Sequence, residues 1–162
     1  MDLIADTDIL STFSKISKLS LLQKLFPKSR IYISNKTREE LLQAKKLGYK
    51  FVVKVVEFKS LKLTQNELIE YQQIKETRKS LSPADIETLV LAKQRNLLML
   101  TNDISLLKEA IKYNVTYFNL PMILRELWKQ KTVAKKYVNK LIEQIEKEDR
   151  ILIVNKEIIF TE

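Results

Sequence analysis

The sequence predicts an α/β protein of three layers, with a central, mostly parallel sheet and helices on both faces. Three observations carry this. Short strand-like runs alternate with amphipathic helical stretches along the chain, the pattern of strand–helix–strand crossovers. Capping residues and helix breakers separate the two kinds of segment cleanly. The length, 162 residues, suits one domain with one sizeable core.

Taken in order, Asp2-Leu3-Ile4-Ala5 reads as a short buried strand that Asp6 ends. Asp8 is placed to cap the following helix, which carries Ile9, Leu10, Phe13 and Ile16 at helical spacing. Ser20 starts a second short helix that Pro27 stops. Arg30 to Ile33 is a strand, and Ser34 or Asn35 caps a helix from about Lys36 to Leu47. Gly48 closes that helix from the C′ position. Phe51 to Phe58, rich in Val and Phe among lysines, predicts a strand near a sheet edge. Thr64 begins a helix to about Lys79, with Leu68, Tyr71 and Ile74 on one face.

Ser82-Pro83-Ala84-Asp85 then places Ser at the N-cap, Pro at N1 and Asp at N3 of a helix burying Ile86, Leu89, Val90 and Ala92. Leu97 to Leu100 is a strand, and Asn102 or Asp103 caps a helix with Leu106, Leu107, Ala110 and Ile111 inward. Val115 to Phe118 is a further strand, and Pro121 opens a helix through Trp128. From about Thr132 to Lys147 a stripe of Val133, Tyr137, Val138, Leu141, Ile142 and Ile145 marks the last long helix. Ile151 to Val154 and Ile158 to Phe160 read as two short strands or one extended tail. The expected organisation is a single domain over 1–162, in which 131–162 is a C-terminal helix and strand extension that either adds to the core or serves dimerisation or a partner.

The absences bound the chemistry. There is no His and no Cys, which removes serine–histidine and cysteine–histidine catalysis and any zinc site built on those ligands. The only glycine is Gly48, so glycine-rich phosphate loops and dinucleotide fingerprints are excluded. Carboxylates, lysines and tyrosines remain, and a metal bound by oxygens would be Mg²⁺ or Mn²⁺. The net charge of +9 suits solubility and equally a polyanionic partner. No apolar run is long enough to cross a bilayer, and the acidic start MDLIADTDIL is not that of a signal peptide. A soluble, cytoplasmic protein is expected.

Right-handed crossovers put the C-terminal ends of all parallel strands on one edge of the sheet, where open α/β folds bind ligands. Asp6 and Asp103 directly follow predicted strands and emerge there. Glu40 lies in the helix that starts at the same edge. Asp85 lies in the first turn of the helix leading into the Leu97 strand, which does not by itself fix it at that edge. Each acid also has a plain role: Asp8 and Asp103 as caps, Asp85 for the helix dipole, Glu40 as a surface residue. As a group they repel one another unless a cation is present, and a hard divalent ion satisfies such a cluster. With that ion, an acidic site can activate water and offset charge on a phosphodiester.

Four of these stretches resemble the motifs of the PIN-domain family. IADTDIL resembles the first, an apolar strand ending in Asp-Thr-Asx; TREELL is similar to the second, with Glu40 before Leu. DIETLVLA resembles the third, with Asp85 seven positions before Ala92, and LMLTNDISLLKEA the fourth, Thr-Asn-Asp after a strand. The resemblance covers about residues 2–130. It implies a PIN-like fold and a Mg²⁺- or Mn²⁺-dependent ribonuclease of the kind found in VapC-type toxins, with RNA as substrate. It further implies Asp6, Glu40, Asp85 and Asp103 as the metal-binding acids, supported by Thr101 and Asn102. A homodimer and a restraining antitoxin protein are the partners it suggests. Position 8 is Asp where many members have Asn or Ser, so Asp8 either joins the site or caps. Glu39 competes with Glu40, and Glu87 with Asp85. The alternative to an endoribonuclease is a non-catalytic RNA-binding or assembly module keeping the fold; a nuclease of DNA flaps is disfavoured, since no long helical insertion is present.

Overall fold

The computed structural model describes residues 1–162. Its elements are β1 (Leu3–Ala5), α1 (Thr7–Lys15), α2 (Leu19–Leu25), β2 (Ile31–Ser34), α3 (Asn35–Lys46), α4 (Val52–Val55), β3 (Lys59–Leu61) and α5 (Gln65–Thr77). They continue as α6 (Pro83–Gln94), β4 (Leu98–Leu100), α7 (Ile104–Lys112), β5 (Tyr117–Phe118), α8 (Leu120–Lys129), α9 (Lys135–Asp149) and α10 (Lys156–Phe160). The strands form one sheet in the order β3-β2-β1-β4-β5, and every neighbouring pair is parallel. The expected three-layer α/β/α architecture is therefore present, with a wholly parallel sheet.

The two faces of the sheet divide by strand period. Leu3 and Ala5 of β1 and Leu98 and Leu100 of β4 point into one core, with α1, α2, α8 and α9. Ile4 and Met99, between them, point into the other, with residues of α5, α6 and α7. Alternate residues face opposite sides of a strand, so three-residue strands supply both cores. α6 is buried along almost its whole length, from Ala84 to Ala92, because it packs on the sheet, α3, α5 and α7 at once.

α3 ends as Gly48 predicts. Gly48 sits at φ +89, the Gly48 N–H donates to the Lys45 carbonyl (3.0 Å) and the Tyr49 N–H to the Ala44 carbonyl (3.1 Å). This is a Schellman turn, and its left-handed residue favours glycine.

Four expectations need correction. Residues 51–58 do not form a strand: Val52, Val55 and Val56 are buried at helical spacing in and after α4, which packs on α1 and α3. The edge strand is instead the more polar β3 that follows. Residues 151–154 are irregular, and Ile158 to Phe160 lie in helix α10, not in a strand. That helix is anchored by Ile159, fully buried, whose carbonyl accepts from the Trp128 indole N–H at 2.7 Å. Asp8 is not the cap of α1; Asp6 is, accepting from the Thr7 N–H. Ile111, expected inward, is exposed, because the buried stripe of α7 runs through Leu106 and Ala110. Among the tail residues, Val138, Leu141, Ile142, Ile145, Ile153 and Ile159 complete the first core.

Candidate active site

Strand order reverses at β1: β2 and β3 lie to one side of it, β4 and β5 to the other. Such a switch point leaves a crevice beyond the C-terminal ends of the central strands. β1 and β4 pair in register from Leu3 with Leu98 to Ala5 with Leu100, and the Asp6 N–H donates to the Leu100 carbonyl at 2.8 Å. The sheet therefore fixes Asp6 at the floor of that crevice, where it is only 6% exposed.

Residues 101–103 close over it. The buried Thr101 hydroxyl donates to Asp6 Oδ2 at 3.1 Å, and its oxygen accepts from the Asp103 N–H at 3.1 Å. The Asn102 N–H donates to Asp8 Oδ2 at 2.8 Å, which tilts Asp8 from α1 toward the end of β4. Asp103 caps α7 through Oδ1, accepting from the Leu106 N–H at 2.8 Å, and its Oδ2 accepts no hydrogen bond. Asp85 is spent in the same half-measure. Its Oδ2 accepts from the Ser82 N–H in a full capping box, and its Oδ1 is without a partner. Glu40, reaching solvent from α3, makes no hydrogen bond or ion pair.

Electrostatics show which acids face one another. Burial, then Asp8 and Asp85, push the Asp6 carboxyl up to about 8. Burial, with Asp103 and Asp85 adding to it against two backbone N–H donors, raises Asp8 to about 6. Packing around its carboxyl and then Asp85 raise Glu40. Asp85, which the sequence left unplaced, is thus the acid that Asp6, Asp8 and Glu40 all feel. None of the five forms an ion pair, in a chain carrying 29 Lys and Arg.

The rival acids lie elsewhere. Glu39 is held at the surface by the Asn35 amide (3.0 Å) and the Lys36 ammonium (3.1 Å). Glu87 is buried and accepts from the Lys36 N–H at 2.8 Å, so α6 supplies a carboxylate to the N-terminus of α3. Asp8 is the residue that reading by strand ends undervalued. The available signal was its spacing, because a side chain in the first turn of a helix leans back over the N-terminus.

The donor set suits a hard divalent cation: it is all oxygen, unpaired, and includes a carboxyl that burial first, and then like charges, hold protonated near neutral pH. As they stand, no three of the acids converge closely enough to hold an ion. A cavity of about 710 Å³ lies between α1, α2 and residues 50–58, and none of these acids lines it.

The family model described as DUF3368, a PIN domain, matches residues 2–158. No curated protein matches the chain. Among solved structures, PAE2754 from Pyrobaculum aerophilum is similar at 16% identity and a TM-score of 0.49, over 87% of this chain and 96% of that one. By the span of the family match, the chain belongs to the PIN-domain family, and that family is generally one of nucleases.

Proposed function

We propose that this PIN domain is an endoribonuclease that hydrolyses RNA phosphodiesters with Mg²⁺ or Mn²⁺ held by Asp6, Asp85, Asp103 and Glu40, joined by Asp8. The observation that carries the reading is the unpaired cluster at the switch point, with Asp6 buried among like charges. A cation there supplies activated water and offsets charge developing on the phosphate.

The chain's own residues do the rest. To hold a cation Asp6 would have to release its proton, so affinity would rise with pH. The Thr101 hydroxyl fixes Asp6 Oδ2, and the Asn102 N–H fixes Asp8 Oδ2. Asp85 Oδ1 and Asp103 Oδ2 are the oxygens with no competing donor. Glu40, at the rim on α3, closes the set from solvent. The +9 charge of the whole chain draws the polyanion toward this acidic pit.

The same proposal extends to a VapC-type setting: a cytoplasmic toxin, dimeric and restrained by an antitoxin. Exposed Leu152, Val154 and Ile158 beside α10 support a protein-facing surface. One observation favours a second reading, a non-catalytic RNA-binding or assembly module: the acids are not drawn into a cage.

Purified protein with single-stranded RNA and Mg²⁺ or Mn²⁺ separates these readings. Cleavage that EDTA stops, and that Asp6→Asn and Asp103→Asn abolish, is the expected result. Cleavage by both variants at the wild-type rate sinks the site assignment. Steeply salt-dependent RNA binding that ignores EDTA, with no cleavage under either metal, selects the second reading.

A further inference from the structure

A groove of about 470 Å³ runs along the outer face of α3, from Glu40 and Pro83 at one end, past Gln43, to Leu47 and Tyr49 at the other. Glu40 belongs to the acidic cluster, and Pro83 opens the helix that carries Asp85, so the groove is continuous with the candidate active site. Its far end is an aromatic and apolar platform, with Leu47 78% exposed and Tyr49 56% exposed. Tyr49 is fixed there: its N–H closes the Schellman turn on the Ala44 carbonyl, and the Phe51 ring braces it edge-on at 6.0 Å. The only glycine of the chain makes that turn. A rigid aromatic held half in water has no role in either core.

Charge is graded along the same path. The acids sit at the Glu40 end, and no acidic residue occurs between Glu40 and Glu57. Exposed Lys46 and Lys50 flank Tyr49 in the chain, outside the groove lining, whose own charged residues, Lys36, Glu39 and Glu40, all sit at the other end. From Glu40 to Leu47 the helix advances roughly 10 Å, a span that a short piece of single strand covers. A candidate cation site at one end and an exposed ring flanked by lysines at the other suit a polyanion that carries bases.

We infer that the α3 groove is a subsite for the RNA strand, in which Tyr49 stacks on a base flanking the scissile phosphate and Lys46 and Lys50, beside it, meet the backbone. This rests on the ribonuclease reading for its substrate. Stacking on an aromatic is worth about 1–3 kcal/mol per base and tolerates any base, so the subsite sets register along the strand and not sequence.

The test uses Tyr49→Ala, Tyr49→Leu and Tyr49→Phe, each also in an Asp6→Asn background. Anisotropy of a labelled single-stranded RNA reads binding, and cleavage of the same RNA reads kcat/KM. Tyr49→Ala and Tyr49→Leu are expected to lose about tenfold in both, and Tyr49→Phe to retain both. An abasic nucleotide at the stacked position should weaken wild type and leave Tyr49→Ala unchanged. Equal RNA affinity in wild type and Tyr49→Ala overturns the inference and leaves the groove to a protein partner. If wild type cleaves nothing but Tyr49→Ala still binds RNA tenfold more weakly, the ribonuclease reading fails and the subsite stands.

Discussion

Two buried carboxylates, each 6% exposed, are treated in opposite ways by this fold. Glu67, in the first turn of α5, accepts from the Arg95 guanidinium through both oxygens, at 2.7 and 2.8 Å, and from the Thr64 N–H at 2.7 Å. Arg95 chiefly, with that N–H, holds the Glu67 carboxyl down at about 2. Asp6 has one backbone N–H and one hydroxyl, and its charged neighbours are other acids. A carboxylate that joins helices is given its counter-ion within the chain. At the switch point the chain withholds one, and the missing positive charge is what a cation would bring.

The contrast is broken most severely by Asp6→Asn. Cleavage should fall about a thousandfold or more, on the scale of losing an electrostatic stabiliser of the transition state. The metal-free variant should at the same time melt higher than wild type, because a repelled buried acid is gone. Loss of activity with loss of stability would make Asp6 an ordinary core residue.

Thr101→Val tests the support beneath it. The hydroxyl both donates to Asp6 and accepts from the Asp103 N–H, and losing such an outer partner costs about 10- to 100-fold in metal affinity or rate. A titration of Mg²⁺ against cleavage rate reads this directly.

Arg95→Met probes the other region. The Arg95 side chain is 31% exposed, so the pair is worth less than a fully buried one; about 2 kcal/mol of stability should go in urea unfolding, with cleavage unchanged. A variant that cleaved poorly while folding well would merge the two regions.

The most diagnostic effect is in pH. Asp6 and Asp8 are raised to about 8 and about 6 from 3.8. The metal-free folded chain keeps protons that the unfolded chain releases, so stability falls as pH rises from about 4 to 8. Glu67 is lowered from 4.5 to about 2, so its contribution is lost as pH falls through that range. Unfolding of EDTA-treated protein should show both limbs. Asp6→Asn should flatten the neutral one, Arg95→Met the acid one, and excess Mg²⁺ should remove the neutral limb from wild type alone.

Much of the frame was legible because strand ends and caps are local. Asp6 after Ala5, Asp103 after Thr101 and Ser82 with Asp85 follow from short-range rules that the tertiary structure did not override. Residues 51–58 misled because valines favour strands by shape, while Val52, Val55 and Val56 also fit a helix turn. Only α1 and α3 packed against them decide between the two. Asp85 was hidden differently: its capping bond is local and complete, and its second oxygen gains meaning only from acids far away in sequence. The Glu67–Arg95 pair spans 28 positions, and no periodicity announces it.

β1 lies at the centre of the sheet although it comes first among the strands, with β2 on one side and β4 on the other. Leu3 waits for Leu98. During synthesis, then, the segment bearing Asp6 leaves the ribosome long before the one bearing Thr101 and Asp103, and the crevice has no second wall in the interval. Domains fold as units once their parts have emerged, so the crevice, and any chemistry it supports, waits for β4 to join β1. That delay is written into strand order.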